Sequence, residues 1–116
     1  MTATFQFSTV EEVPVFSISG YVDDTLGKEL TQEIGKCLRE GKRNFIFEFS
    51  GCPLINSLGI SHILEITLKV TEDFQGILVL VSVPQVVMKV LKLAGVIPQA
   101  QLADSIQNAL AIIKPS

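Results

Sequence analysis

The sequence predicts a single α/β domain over residues 1–116, built on a mixed, mostly parallel sheet whose neighbouring strands are joined by crossover helices. Three observations carry the prediction. From Val13 onward, short apolar segments with strand periodicity alternate with longer segments of helical periodicity, the pattern that parallel strands with right-handed helical crossovers require. Phe5-Gln-Phe-Ser-Thr and Val13-Pro-Val-Phe-Ser-Ile-Ser alternate apolar and polar residues about the acidic turn Glu11-Glu12, so an opening pair of strands makes the sheet mixed. Ile77-Leu-Val-Leu-Val81 is a continuous apolar run, as expected of a strand buried on both faces.

Each element has its own local reason. The ring of Pro14 removes a ladder donor and suggests an edge position or a strand start. Asp23-Asp24 precede a helix whose apolar residues Leu26, Leu30, Ile34, Cys37 and Leu38 share one face, and Gly41 ends it as a left-handed glycine would. Asn44-Phe-Ile-Phe-Glu-Phe is the next strand, and Ser57 begins the next helix. That helix carries Leu58, Ile60, Ile63, Leu64, Ile66, Leu68 and Val70 around much of its circumference, so it should pack against more than one neighbour. Gly76 opens the apolar strand. Ser82-Val-Pro-Gln85 has the spacing of a capping box with proline in the first turn, ahead of a helix with Val86, Val87, Val90 and Leu91 inward. A weakly marked extended piece near 99–102 leads to Asp104, expected to cap a last helix with Ile106, Ala109, Leu110 and Ile113 inward. Functional loops of such sheets gather where strands end and helices begin, which should bring Asp23 and Asp24 toward Ser57.

Composition narrows the function. A chain of 116 residues with 47% hydrophobic content is one domain long and has ample material for one core. No apolar stretch reaches the roughly 18 residues of a membrane span, and Met1-Thr-Ala-Thr-Phe lacks the regions of a signal peptide, so a cytoplasmic protein without direct membrane insertion is expected. A net charge of −3 argues against direct nucleic-acid binding, and Lys42-Arg43, the only adjacent basic pair, fits a solvated helix end. Cys37, Cys52 and the sole histidine, His62, have no metal-ligand spacing and read as two plain thiols and a packing or hydrogen-bonding imidazole.

Catalytic machinery is equally thin, and neither a catalytic residue nor a cofactor is expected. Gly35, Gly41 and Lys42 miss the phosphate-loop spacing by one residue, and Arg43 stands where that loop needs Ser or Thr. No serine sits in a Gly-x-Ser-x-Gly elbow. Asp23 and Asp24 read as a helix cap and a first-turn charge rather than an acid/base pair.

What remains is the turn that ends in Asn56-Ser57. Asn and Ser favour helix N-caps because their side-chain oxygens accept from first-turn N–H groups that have no carbonyl four residues back. Read alone, the dipeptide needs only to cap a helix, a role whose loss costs about 0.5–2 kcal/mol. The same free N–H groups also suit a phosphate, which carries about −1.5 to −2 charges, so Ser57 is a candidate modification site.

The run from Phe45 to Ile60, Phe-Ile-Phe-Glu-Phe-Ser-Gly-Cys-Pro-Leu-Ile-Asn-Ser-Leu-Gly-Ile, resembles the signature of the anti-sigma factor antagonist (STAS domain) family, in which a hydrophobic strand leads into Asp-Ser-x-Gly and an aliphatic residue. The resemblance loosely covers residues 5–113, through Ile18-Ser-Gly-Tyr-Val-Asp23, Leu91-Lys-Leu-Ala-Gly-Val96 and the helix start Ser105-Ile-Gln-Asn-Ala-Leu110. It implies a STAS-like fold and a phosphorylated serine at Ser57. Asn56 stands where the family usually has Asp, and an amide caps a helix but cannot act as a base.

Three readings stay open. In the first, the surface of Asp23, Asp24, Asn56, Ser57, Leu58 and Gly59 docks on a serine kinase that is itself an anti-sigma factor, and a sigma factor is released. Phosphorylation at Ser57 ends the docking, the partner binds the ATP, and this chain is a substrate, not an enzyme. Gly59 would let that partner approach the first turn. In the second, the chain is a constitutive STAS subunit of a larger assembly such as a membrane-transport complex, and Ser57 only caps. The third is a small enzyme or ligand-binding protein using Asp23, Asp24, Ser57 and His62 in a cleft.

Overall fold

A computed structural model describes residues 3–114, so residues 1–2 and 115–116 of the expected domain lie outside the described residues. Strands β1 (Thr4–Val10) and β2 (Val13–Ser19) form a hairpin, followed by α1 (Asp24–Arg39) and β3 (Asn44–Gly51). Helix α2 (Ser57–Leu68) continues through a π-helical turn, Lys69–Asp73, into β4 (Ile77–Val81), α3 (Gln85–Ala94), β5 (Gln101–Ala103) and α4 (Ile106–Ile113). The sheet order is β1-β2-β3-β4-β5, with β1 antiparallel to β2 and all other neighbours parallel. This is the mixed, mostly parallel α/β architecture that the alternation of periods predicts.

Two helical layers of unequal size follow from the pleat. On one face Phe16, Ile18, Phe45, Phe47, Phe49, Leu78 and Leu80 meet the buried faces of α1, α2 and α3. On the other face Val13, Val15, Ile46, Val79 and Val81 meet Ala109, Leu110 and Ile113 of α4 alone. With eight residues, α4 is about 12 Å long and lies on β3, β4 and β5. Past its reach the same face turns polar, at Ser17 and Ser19 of β2 and Glu48 and Ser50 of β3. The change from valine to serine along β2 therefore marks where the helical cover stops.

Several local expectations are corrected. Strand β2 is interior, so the strand-start reading of Pro14 holds and the edge reading does not: pairing with β3 begins only at Val15. The capping box at Ser82 does not form. Ser82 adopts φ 53°, and its N–H and hydroxyl donate to the carbonyls of Ala103 and Asp104, while Pro84 takes the N-cap of α3. Within α3 only Val87 and Leu91 are buried, Val90 is half-buried and Val86 faces outward. Ser105, rather than Asp104, caps α4 by accepting from Asn108 N–H, and the Asp104 carboxylate accepts from Asn108 Nδ2. Ser82 thus found its partners in a distant segment instead of in its own helix, which local spacing does not reveal.

The hairpin turn is also unusual in composition. Glu11 and Glu12 both have positive φ, 50° and 70°, as a two-residue I′-type connection requires, although Asn and Gly suit those angles better. The Lys114 and Lys42 ammonium groups donate to the carbonyls of Glu11 and Glu12 and hold the turn against the ends of α4 and α1. Arg43 bonds the carbonyls of Leu38 and Lys42 and lies over the Phe74 ring, so the basic pair does more than solvate a helix end.

Gly35 is a buried position inside α1 where an added Cβ would meet only the end of the Arg39 side chain, 3.4 Å away. Gly35→Ala is expected to raise stability by about 0.5–1 kcal/mol through helix propensity, read as a higher urea midpoint at unchanged slope; a lower midpoint would refute it.

Candidate functional site

Two strand-to-helix turns, 20–23 after β2 and 52–56 after β3, build one surface at the carboxyl ends of the central strands. Their backbones are stitched together. The register of β2 against β3 shifts between Ser17 and Ser19, and pairing then continues beyond the strands. Gly20 N–H donates to Gly51 O at 2.9 Å, Val22 N–H to Leu54 O at 3.0 Å and Asn56 N–H to Val22 O at 3.0 Å, making a short parallel bridge of Val22 with Ile55. Val22, Cys52 and Ile55 are buried beneath it. Burial pushes the Cys52 thiol up, and the thiol donates to Leu54 O, so this cysteine packs rather than reacts.

Each turn ends in a helix cap, as its residue types dictate. The Asp23 carboxylate accepts from Leu26 N–H at 3.0 Å and starts α1. The Asn56 side-chain oxygen accepts from Gly59 N–H at 2.8 Å, and its carbonyl accepts from Ile60 N–H at 2.9 Å. Ser57 is therefore the first residue of α2 and is exposed. Around the turns Tyr21, Leu54 and Leu58 are 38%, 44% and 57% exposed, an amount of open apolar surface that the core does not explain.

Gly59 plays an inward part. A Cβ there would lie 2.6 Å from Val22 O, so the absent side chain admits this chain's own backbone; the expectation that it makes room for a partner is corrected. Leu58, in contrast, belongs to the surface and not to the helix's buried circumference.

Asp24 is engaged rather than free. Its carboxylate is 2.8 Å from His62 Nε2 and 3.1 Å from Lys28 Nζ, and the hydrogen bond to His62, then the one to Lys28, hold its carboxyl below the usual carboxylate range. The imidazole lies against α1 at Gly27, where a Cβ would come within 2.4 Å of His62 Cδ2. His62 thereby clamps α2 onto the first turn of α1. That contact needed a glycine on one helix opposite a ring on another, and no spacing within either helix announces it.

Two surface hollows of about 470 and 330 Å³ are lined by residues such as Leu102 and Asn108 and by Lys42, Arg43 and Lys114, and neither includes a residue of the Asn56-Ser57 turn. Among the described residues there is no group of three or more His, Cys, Asp or Glu placed to hold a metal. No helix among them is long and apolar enough to cross a membrane.

Comparison with known proteins gives this arrangement a context. The family model of the STAS domain matches residues 4–109. An anti-sigma factor antagonist from Mycobacterium paratuberculosis is similar in structure at a TM-score of 0.80 and 20% identity, over 97% of this chain and 94% of that one. The Bacillus cell fate determinant SpoIIAA in its phosphorylated form gives 0.75 and 19%, over 96% and 100%. A sulfate transporter family protein from Wolinella succinogenes gives 0.75 and 21%, over 91% and 88%. At such identities the likeness speaks for the fold alone. A comparison with curated proteins finds no match.

Gly59→Ala should destabilise by about 1–3 kcal/mol, because its Cβ meets a backbone carbonyl rather than a flexible side chain, and Asn56→Ala by about 1 kcal/mol through loss of the cap. Chemical denaturation measures both, and a neutral Gly59→Ala would refute the inward role. The lowered Asp24 carboxyl stabilises the fold fully above the unfolded aspartate value of about 3.9, and that contribution disappears as pH falls through the lower folded value. The stability gap between wild type and Asp24→Asn should accordingly be widest near neutral pH and close in acid; a gap independent of pH would refute it.

Proposed function

Because the chain belongs to the STAS domain family, we propose that it is an anti-sigma factor antagonist, a binding module that docks on a partner kinase and is switched off by phosphorylation at Ser57. The observation that carries the reading is the position of Ser57: exposed, first in α2, and set among the open apolar side chains of Tyr21, Leu54 and Leu58. An exposed hydroxyl with open apolar side chains around it, and with no residue of its turn lining either hollow, suits a protein surface better than a small substrate.

The chemistry of a switch at this place follows from what the first turn leaves unused. Asn56 supplies acceptors for the N–H groups of Gly59 and Ile60, whereas those of Ser57 and Leu58 have no carbonyl four residues back within the helix. A phosphate on Ser57 would find those donors and the positive end of the helix dipole, so the fold tolerates it. Its effect would fall on docking, through bulk and charge placed inside an apolar contact. Asn56, Ser57 and Leu58, with Asp23 and Asp24 beside them, form the proposed contact, and Gly59 supports it from beneath. In this account the chain is a single cytoplasmic domain over 1–116, the substrate of the kinase rather than an enzyme, and the partner binds the ATP.

One observation favours a second reading. The amide of Asn56 has no charge and cannot assist proton removal from the neighbouring hydroxyl, which suits a constitutive STAS subunit of a larger assembly, such as a membrane-transport complex, in which Ser57 only starts a helix. Mass spectrometry of the protein from its own cells, wild type against Ser57→Ala, separates the two. A single phosphate that maps to Ser57 and is lost in the mutant is expected, with Ser57→Glu losing the captured kinase. An unmodified Ser57 in every growth condition, with Ser57→Glu still bound to its partner, would sink the switch.

A further inference from the structure

The outer edge of β1 is open and unguarded. Among the described residues β1 pairs with β2 only, and it is the full seven residues long. Edge strands are ordinarily blunted by charges, proline, bulges or brevity. Thr4-Phe-Gln-Phe-Ser-Thr-Val10 has no charged residue and no proline, and its register against β2 is unbroken from Thr4–Ser19 to Val10–Val13.

The hairpin fixes which backbone groups look outward. A two-residue turn makes Val10 and Val13 the first pair that exchanges both hydrogen bonds, and the exchange recurs at every second residue. Val10, Ser8, Gln6 and Thr4 thus bond inward to β2, and the N–H and C=O groups of Thr9, Phe7 and Phe5 point away from the sheet. Phe7 itself is 50% exposed, beside Phe16 at 5.1 Å between ring centroids.

From this we propose that β1 pairs antiparallel with β1 of a second copy of the chain, about a two-fold axis at Phe7, joining the two sheets into one. Phe7 is the middle residue, so only this register matches the strand over its whole length. It sets Phe7 opposite Phe7 of the second copy and Phe5 opposite Thr9 in both directions, three facing pairs that each exchange two backbone bonds. Side chains agree with it. The two Phe7 rings meet on the helix-layer face and extend the aromatic row of Phe16, Phe47 and Phe49, while Gln6 meets Ser8 on the other face with no like charges opposed.

The second copy is the occupant because the edge is its own complement. An uncharged strand whose bonding groups are symmetric about its centre closes on itself as an isologous pair and leaves no further edge of the same kind exposed. The axis stands perpendicular to the sheet, so the α1–α3 layers of the two copies lie on the same side of the joined sheet and the two Ser57 surfaces point to opposite ends. Self-association and docking do not compete.

Sedimentation velocity of the full chain over a wide concentration range, combined with hydrogen exchange, tests the proposal. A species of twice the chain mass should grow with concentration, and the amides of Phe5, Phe7 and Thr9 should gain protection as it does, whereas those of Gln6, Ser8 and Val10 are protected throughout. Phe7→Lys places like charges at the axis, and Thr9→Pro removes one outward donor without touching the inward ladder; each should weaken association about tenfold or more. A chain that stays monomeric at every concentration, or a dimer whose Phe5, Phe7 and Thr9 amides gain nothing, overturns it, and the wild-type measurement decides even if either variant fails to fold.

Discussion

The molecule depends on the backbone of Val22, which donates to Leu54 and accepts from Asn56. These bonds carry the pairing of β2 with β3 past the ends of both strands, so that two loops otherwise solvated separately move as one piece of sheet. Asp23 and Asn56 follow at once on either side, and each starts a helix. The Val22 carbonyl then sets how closely α2 approaches, since only glycine at position 59 lets the first turn settle there. A surface made from two loops thereby inherits the rigidity of the sheet, which is what the proposed docking role needs if little ordering is to be lost on contact.

Most of this architecture was legible in the sequence because period and punctuation agreed. The switch from alternation to helical spacing located α1 and α2, and the apolar run 77–81 identified a strand covered on both faces. Asn56-Ser57 and Asp23 were found as caps because capping is chemistry of a few adjacent atoms. What escaped was chemistry across the fold. The imidazole of His62 against Gly27, the hydroxyl of Ser82 on Asp104 and the inward face of Gly59 each join residues from different elements. The exposure of Val86 and Leu58 escaped for a related reason: both lie in first turns at the carboxyl edge of the sheet, where helical apolar spacing continues but the neighbouring layer has ended.

Helices α1 and α2 also differ in how they are joined. Along their length they meet through apolar side chains, but near their starts the Asp24 carboxylate and the His62 ring supply a polar link, extended to Lys28. Apolar contact alone tolerates sliding, whereas this hydrogen bond has a direction and a length. It fixes the rotation of α2 relative to α1, and with it the orientation of the exposed first turn that carries Ser57 and Leu58.

The ammonium of Lys114 on the carbonyl of Glu11 anchors the end of α4 beside the hairpin turn, at the pole where β2 begins, opposite the carboxyl ends of the strands where Ser57 lies. That polarity has a practical use. A fluorophore, bead or solid support joined to the chain just beyond α4 would hold it with the Asn56-Ser57 turn turned toward the solvent, so immobilisation and partner capture can be carried out on the same molecule without one obstructing the other.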